Sequence, residues 1–352
     1  YARNTAEWRK AGTPLANGYF AVMWQMIGDL DYFYSVLELP HFANANSCCP
    51  ICRATSGGEA TWTNFSDAAP WRGTIWTAAN WRLWPERSAC PLFRLPGASC
   101  HSVGLDLMHA KHLGSDQYQF GSCLELLVTY IMDGEPAANL TVVWNELQEA
   151  YRRLRTPPQA RFRYLNKLTM FRRVGYPKLR GKASEIRHFG HALRMVFESR
   201  HNAGLRIHRE ILLMLLLAAD VVDRKLNNRM DDIVSEHRRS FALPPEAAAT
   251  FRESCNGMLV LQAKVARHFA ENGIQLFNVT SKCHLVQHLA LMSDILNPRV
   301  IWCFAGEDMM QKAQRMAQAA CRGVKPWQVC AKMAEKYRLA LHLRFTAHER
   351  QG

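Results

Sequence analysis

Tyr19-Phe20-Ala21-Val22-Met23-Trp24-Gln25-Met26-Ile27-Gly28-Asp29 is the stretch on which the fold turns. An apolar and aromatic run broken only by Gln25 and closed by Gly-Asp predicts a buried β-strand ending on a carboxylate. An acid exposed in this way by a preceding glycine can reach a metal ion at a sheet edge. The plainer alternative is an Asp that caps the next helix. Upstream, Gly12-Thr13-Pro14 and Asn17-Gly18 predict turns, and Asp31 to Leu39 predicts a short helix ended by Pro40.

Working outward, Cys49-Pro50-Ile51-Cys52 has the spacing at which a tight turn aims two thiolates at one tetrahedral ion. No second Cys-x-x-Cys exists in the chain, so the remaining ligands must come from elsewhere. His284 and His288 are four residues apart, which puts their rings on one face of a helix. Cys90 and Cys100-His101 are rival ligands that would close the site locally, and in a chain with 14 histidines a lone pair is often incidental. Glu307 opens the run Glu307-Asp308-Met309-Met310, where an acid in a helix's first turn is commonly only a dipole partner.

The bulk numbers narrow the class. The chain of 352 residues is 48% hydrophobic and 21% charged, as expected of a globular protein with a sizeable core. Its longest apolar run, Ile211 to Ala219, falls far short of the ~20 residues a membrane span needs and predicts a core helix. No basic-then-apolar secretory signal is visible, and the absence of an initiator Met leads us to expect an upstream segment. Eleven scattered cysteines do not suggest a disulfide framework. A reducing compartment with one Cys-x-x-Cys engaged by metal fits better.

The net charge of +14 is concentrated. From Arg152 to Arg209 there are sixteen Lys/Arg against Glu185 and Glu198, and the rest of the chain balances at 28 basic and 28 acidic residues. A segment carrying the whole excess predicts a surface facing a polyanion. Within it Arg152, Arg153, Arg155, Arg161, Arg163, Lys167, Arg172 and Arg173 alternate with Phe162, Tyr164 and Phe171, a mixture able to track phosphates and stack on bases. Lys178, Arg180 and Lys182 follow as a backbone clamp. The bland alternative is a solvated basic face with its aromatics turned into the core.

Along the chain, residues 47–104 show little periodicity, and Trp62, Trp71, Trp76, Trp81 and Trp84 sit there among Gly, Pro, Ser and Thr. This predicts an irregular module packed by indole rings or held by metal. From about Leu107 to Leu289 apolar residues recur at three and four spacing, with breaks at Gly134-Glu135-Pro136, Pro157-Pro158, Gly175-Tyr176-Pro177 and Pro244-Pro245. Six to eight helices are expected there. The tail from Glu307 to Phe345 is again helical, interrupted between Gly323 and Pro326.

Gly28-Asp29 after an apolar strand, the Cys-Pro-Ile-Cys knuckle, Leu105-Asp106-Leu107-Met108-His109 with Leu113-Gly114, and Phe304-x-x-Glu307-Asp308-Met309-Met310 together resemble the DNA transposases of the CACTA group. The match runs from about Gly12 to Gly323. The resemblance implies an RNase H-like core with a DDE/D acid triad, interrupted by a long insertion. Its layout is similar to that of the catalytic subunit of the V(D)J recombinase. There a Cys-x-x-Cys follows the second acid by about twenty residues, and a His pair precedes the final Glu by a similar interval. Here the intervals are 20 and 23 residues from Asp29 to Cys49 and Cys52, and 23 and 19 from His284 and His288 to Glu307. This implies His284 and His288 as the missing zinc ligands.

By the same resemblance, Asp29 is the second acid and the first lies upstream of Tyr1, while Asp106, in Asp106-x-x-His109, has a supporting role. The rival assignment makes Asp29 the first acid and Asp106 the second. The expected fold is α-dominant α/β: residues 1–46 a first part of the core, 47–105 a zinc-knuckle and Trp-rich module, 106–290 a helical basic insertion, and 291–352 the last part of the core with C-terminal helices. The resemblance implies structural Zn2+, catalytic Mg2+ or Mn2+, double-stranded DNA as partner, no membrane, a homo-oligomer and a nuclear location. It leaves two alternatives: a domesticated zinc- and DNA-binding protein that does not cleave, and a helical scaffold with an incidental Cys-x-x-Cys.

Overall fold

A computed structural model describes residues 23–83, 89–95, 97–218 and 230–349. The expected turns before Tyr19, the first part of the strand and Trp84 lie outside the described residues. The described residues are predominantly helical, with one two-stranded parallel sheet among them. Strand β1 (Met26–Ile27) pairs with β2 (Val103–Gly104), Met26 opposite Val103 and Ile27 opposite Gly104. Gly104 suits this register because a Cβ there would lie 3.3 Å from the Met26 carbonyl oxygen. Helix α1 (Leu30–Ser35) follows β1 directly, shorter than the predicted span to Leu39.

Residues 36–102 form the irregular module. Its longest regular element among the described residues is α2 (Ala78–Leu83), and its core is aromatic: Trp71, Trp76 and Trp81 are buried. Each buried indole removes a large apolar area from water without needing a periodic backbone. The Trp71 indole donates to the Asn64 carbonyl oxygen at 2.7 Å.

From Met108 most of the described chain is helical. A π-helical stretch (Met108–Ser115) leads into α3 (Asp116–Leu126), and a second (Leu127–Ile131) leads out of it. The chain continues through α4 (Pro136–Arg153), α5 (Ala183–Arg200), α6 (Arg206–Ala218), α7 (Met230–Glu236), α8 (Pro245–Glu271) and α9 (Ser281–Leu291). Proline occupies the first turn of α4 and of α8, where the missing amide costs nothing. Helix α3 is buried almost all round, and the 27-residue α8 packs along α6 and α9. The run Ile211 to Ala218 is core, with Ile211, Met214, Leu215 and Ala218 fully buried.

The basic segment differs from expectation. Residues 154–182 are not helical but form an irregular strap with short 3₁₀ turns at Pro158–Ala160 and Leu168–Met170. The strap lies on α3, where the Leu179 amide donates to the Gln117 carbonyl oxygen at 2.8 Å. Gly121 permits this approach, since a Cβ there would come within 2.7 Å of the Leu179 nitrogen. Phe162 and Phe171 are buried core residues. They are thus unavailable for stacking on bases, and only Tyr164 of the three aromatics is exposed.

The tail forms α10 (Phe304–Cys321) and α11 (Val329–Glu349), packed on each other and broken around Gly323, whose φ is +70°.

Candidate metal centre

Cys49 and Cys52 come from the irregular module, His284 and His288 from successive turns of α9. All four converge: their ligand atoms lie within 4.8 Å of one another, and none of the residues is more than 2% exposed. Cys52 Sγ is 3.2 Å from His284 Nε2 and 3.3 Å from His288 Nε2, and the two Nε2 atoms are 3.1 Å apart. A tetrahedron with metal–sulfur bonds of ~2.3 Å and metal–nitrogen bonds of ~2.0–2.1 Å has S···N edges of about 3.5 Å and an N···N edge of about 3.3 Å. The donor set and these edges fit zinc.

Local structure explains the convergence. The Ile51 amide donates to Cys49 Sγ at 3.3 Å, the turn geometry that aims both sulfurs one way. The i, i+4 spacing on α9 brings the imidazoles together edge to face, with ring centroids 4.6 Å apart and planes 84° apart. Trp71 then meets both rings edge-on, at 4.5 Å from His284 and 5.1 Å from His288. Gln287, between the two histidines, donates to the Phe65 carbonyl oxygen at 3.0 Å, tying α9 to the same module. Trp71 was legible only as one indole of a Trp-rich module; its contact with the ligand rings depends on tertiary packing.

Electrostatics also suit a metal. Burial, then the neighbouring Cys52, pushes the Cys49 thiol well up, so a thiolate there calls for a cation. Burial, His284 and Arg72 hold His288 well below the usual imidazole range, which keeps it in the neutral form that ligates. The rival ligands stay outside. Cys100 donates toward the Trp76 carbonyl oxygen at 3.7 Å, and neither Cys90 nor His101 belongs to the cluster.

The acids lie at the ends of the sheet strands. Asp29 and Asp106 each follow their strand by two residues, so the β1–β2 register places them at equivalent positions beyond the carboxyl ends of neighbouring strands. That edge of a parallel sheet is where open α/β proteins bind ligands. Asp29 caps α1, its Oδ1 accepting from the Tyr32 amide at 2.6 Å, and Oδ2 has no partner among the described residues.

Asp106 is 2% exposed and saturated. Its Oδ1 accepts from the amides of Met108 at 3.0 Å and Cys303 at 2.9 Å. Its Oδ2 accepts from the His109 amide at 3.2 Å and contacts the His109 ring. Asp106 therefore fastens the exit of β2 to the residue just before α10, whose first turn includes Glu307. The side chain of Glu307 lies outside the described positions. Lys282, on α9, faces this acidic edge; burial and Lys178 push it down to about 8 while Asp31, Asp106 and Asp29 oppose them. Nothing in the sequence singled it out.

A second buried network was also missed. Lys111 Nζ bridges Asp116 at 2.9 Å and Asp231 at 3.0 Å, and His112 Nδ1 meets Asp116 at 3.0 Å. The Lys111 and Asp116 side chains are fully buried.

Of the basic residues, Arg152 and Arg153 pair with Glu149, and Arg172 pairs bidentately with Glu125 at 2.7 and 2.9 Å. Arg161 donates to the Thr156 carbonyl oxygen, and Lys178 sits over the Tyr118 ring. Arg155, Arg163, Lys167, Arg173, Arg180 and Lys182 are exposed. No helix among the described residues is long and apolar enough to cross a membrane. Comparison of the chain with protein-family models, with curated proteins and with solved structures returned no match.

Proposed function

We propose that the chain is a metal-stapled part of a CACTA-like DNA transposase, in which an RNase H-like core carries Asp29 and Glu307 and a zinc centre closes a basic helical insertion on it. The supporting observation is the convergence of Cys49 and Cys52 with His284 and His288, Cys52 and His284 standing 232 positions apart in the sequence. Each half of the cluster stands about twenty residues from a candidate acid. The zinc centre therefore holds the two ends of the insertion together.

On this reading Asp29 offers Oδ2 toward the nuclease site while its Oδ1 stays on the Tyr32 amide. Asp106 fixes the approach of α10, a positioning role set by its four donors. The rival assignment of Asp106 as a metal-holding acid draws support from its grouping with His109 and Cys303, whose ligand atoms lie within 4.8 Å of one another. Exposed Arg163, Lys167, Arg173, Arg180 and Lys182 carry the phosphate backbone of double-stranded DNA. Mg2+ or Mn2+, when bound, supplies charge neutralisation and activates water for phosphodiester hydrolysis.

Mn2+ titration followed by water-proton relaxation tests the site, with Asp29→Asn and Glu307→Gln each expected to abolish tight binding. Unchanged binding in both variants rejects it. A second reading, a zinc- and DNA-binding protein that does not cleave, is favoured by the engagement of Asp29 as a helix cap. Mn2+-dependent nicking of supercoiled DNA by the full-length protein that supplies the first acid, lost in Asp29→Asn, separates the two.

A further inference from the structure

The turn between α9 and α10 is pinned to the segment after α7. Buried Asn297 donates to the carbonyl oxygens of His237 at 2.9 Å and Ser240 at 3.0 Å, and its own amide donates to Phe241 at 2.8 Å. The Arg299 amide then bonds Asn297 Oδ1 at 3.0 Å, which braces the turn from both sides. The braced turn sets Arg299 over the Trp302 ring, 4.1 Å from its centroid. Arg187, from α5, lies 5.2 Å from the same centroid.

One guanidinium on an indole is an ordinary packing device. Two on one ring, with Arg238 close enough to act on Arg299, are not self-stabilising. Among the described residues none of the three has a carboxylate within salt-bridge distance, and Arg187 donates to the Ser235 hydroxyl at 2.6 Å. Asp231, the buried carboxylate that feels Arg187, is committed to Lys111. Burial, then Arg187 and His191, pushes nearby His188 down to about 4 while Asp231 opposes them. Arg187 and Arg299, half-buried, present planar donor forks with no carboxylate among the described residues to receive them.

We propose that Arg187 and Arg299, ordered over Trp302, form with neighbouring Arg238 a phosphodiester-binding site for the DNA backbone, separate from the basic strap of residues 154–182. Trp302 directly precedes Cys303, whose amide bonds Asp106, so a phosphate held here lies beside the acidic sheet edge rather than out on the strap. The inference rests on the DNA reading for the identity of the polyanion but not on cleavage. Two phosphates neutralised at this site contribute about 1.8 to the slope of log K against log salt.

The experiment is fluorescence anisotropy of a labelled random-sequence 30-base-pair duplex against the 352-residue chain over a salt series. In Arg187→Gln/Arg299→Gln, which keeps planar groups on the indole, the slope is expected to fall by about 1.8 and affinity at low salt by at least about 10-fold. Arg238→Glu, at an exposed position, is expected to weaken binding comparably and guards against a folding defect in the double variant. Lys at positions 187 and 299 should restore the slope. An unchanged slope in the glutamine variant and unchanged affinity in Arg238→Glu overturn the site. If Arg163→Gln/Lys167→Gln alone weakens binding, the DNA reading stands and this inference fails; if the wild-type chain does not bind the duplex, both fail.

Discussion

Stripping the metal from the Cys49/Cys52/His284/His288 cluster should destabilise the whole helical body. The magnitude follows from linkage: a metal bound only by the folded state stabilises it by its binding free energy at the prevailing free concentration. Structural zinc binds with about 10–16 kcal/mol at 1 M standard state, and lowering free zinc to about 1 µM subtracts ~8 kcal/mol. That leaves about 2–8 kcal/mol. With ~2.1 cal/mol/K of unfolding entropy per residue, the chain has an unfolding entropy near 0.7 kcal/mol/K, so removal should lower Tm by about 3–11 °C. No compensation arises inside the cluster, because all four ligands stay buried and the Cys49 thiol is pushed well up once the cation is gone. Thermal melts by far-UV circular dichroism, with and without a zinc chelator and with metal content verified on the same samples, make the measurement. A verified metal-free protein melting at the same temperature would refute the reasoning, as would an equal chelator shift in Cys52→Ser/His288→Ala.

Other outcomes follow from the same geometry. Apparent zinc affinity should rise with pH by up to ~100-fold per unit while both thiols must give up protons, measured by competition with a chromophoric chelator. Below pH ~6.5 stability should fall as the pH is lowered toward about 4, because the unfolded chain takes up a proton that folded His188 refuses; His188→Gln should flatten that limb of a urea-denaturation profile. Lys111→Met should cost about 3–5 kcal/mol in the same assay, since it leaves Asp116 and Asp231 buried without their cation. Gly121→Ala should destabilise by about 1–3 kcal/mol, the added methyl striking the strap backbone at Lys178 and Leu179.

What was legible in the sequence follows physical lines. A Cys-x-x-Cys turn and two histidines one helical turn apart are local geometries, each fixed by spacing alone, and the helical run from Leu107 to Leu289 is written in its apolar period. The pairing of the two halves was not local. It came from family-like intervals to Asp29 and Glu307, and the structure brings those four side chains together. Phe162 and Phe171 read as stacking residues because they alternate with arginines, yet the strap turns them inward while Tyr164 stays out. Lys111 and Asp231 lie 120 residues apart, and a lysine is seldom fully buried, so nothing in composition or period marked their ion pair. The doubled arginine stack on Trp302 was hidden likewise, since α5 and the turn before α10 meet only in the folded chain.

X-ray absorption at the zinc edge, read alongside metal content, tests the central claim most directly. The account predicts one zinc per chain with two sulfur ligands at ~2.3 Å and two nitrogen ligands at ~2.0–2.1 Å. It also predicts that the sulfur shell shrinks in Cys52→Ser and the nitrogen shell in His284→Ala. Substoichiometric metal in the freshly purified protein, or an unchanged coordination shell in both variants, would contradict it.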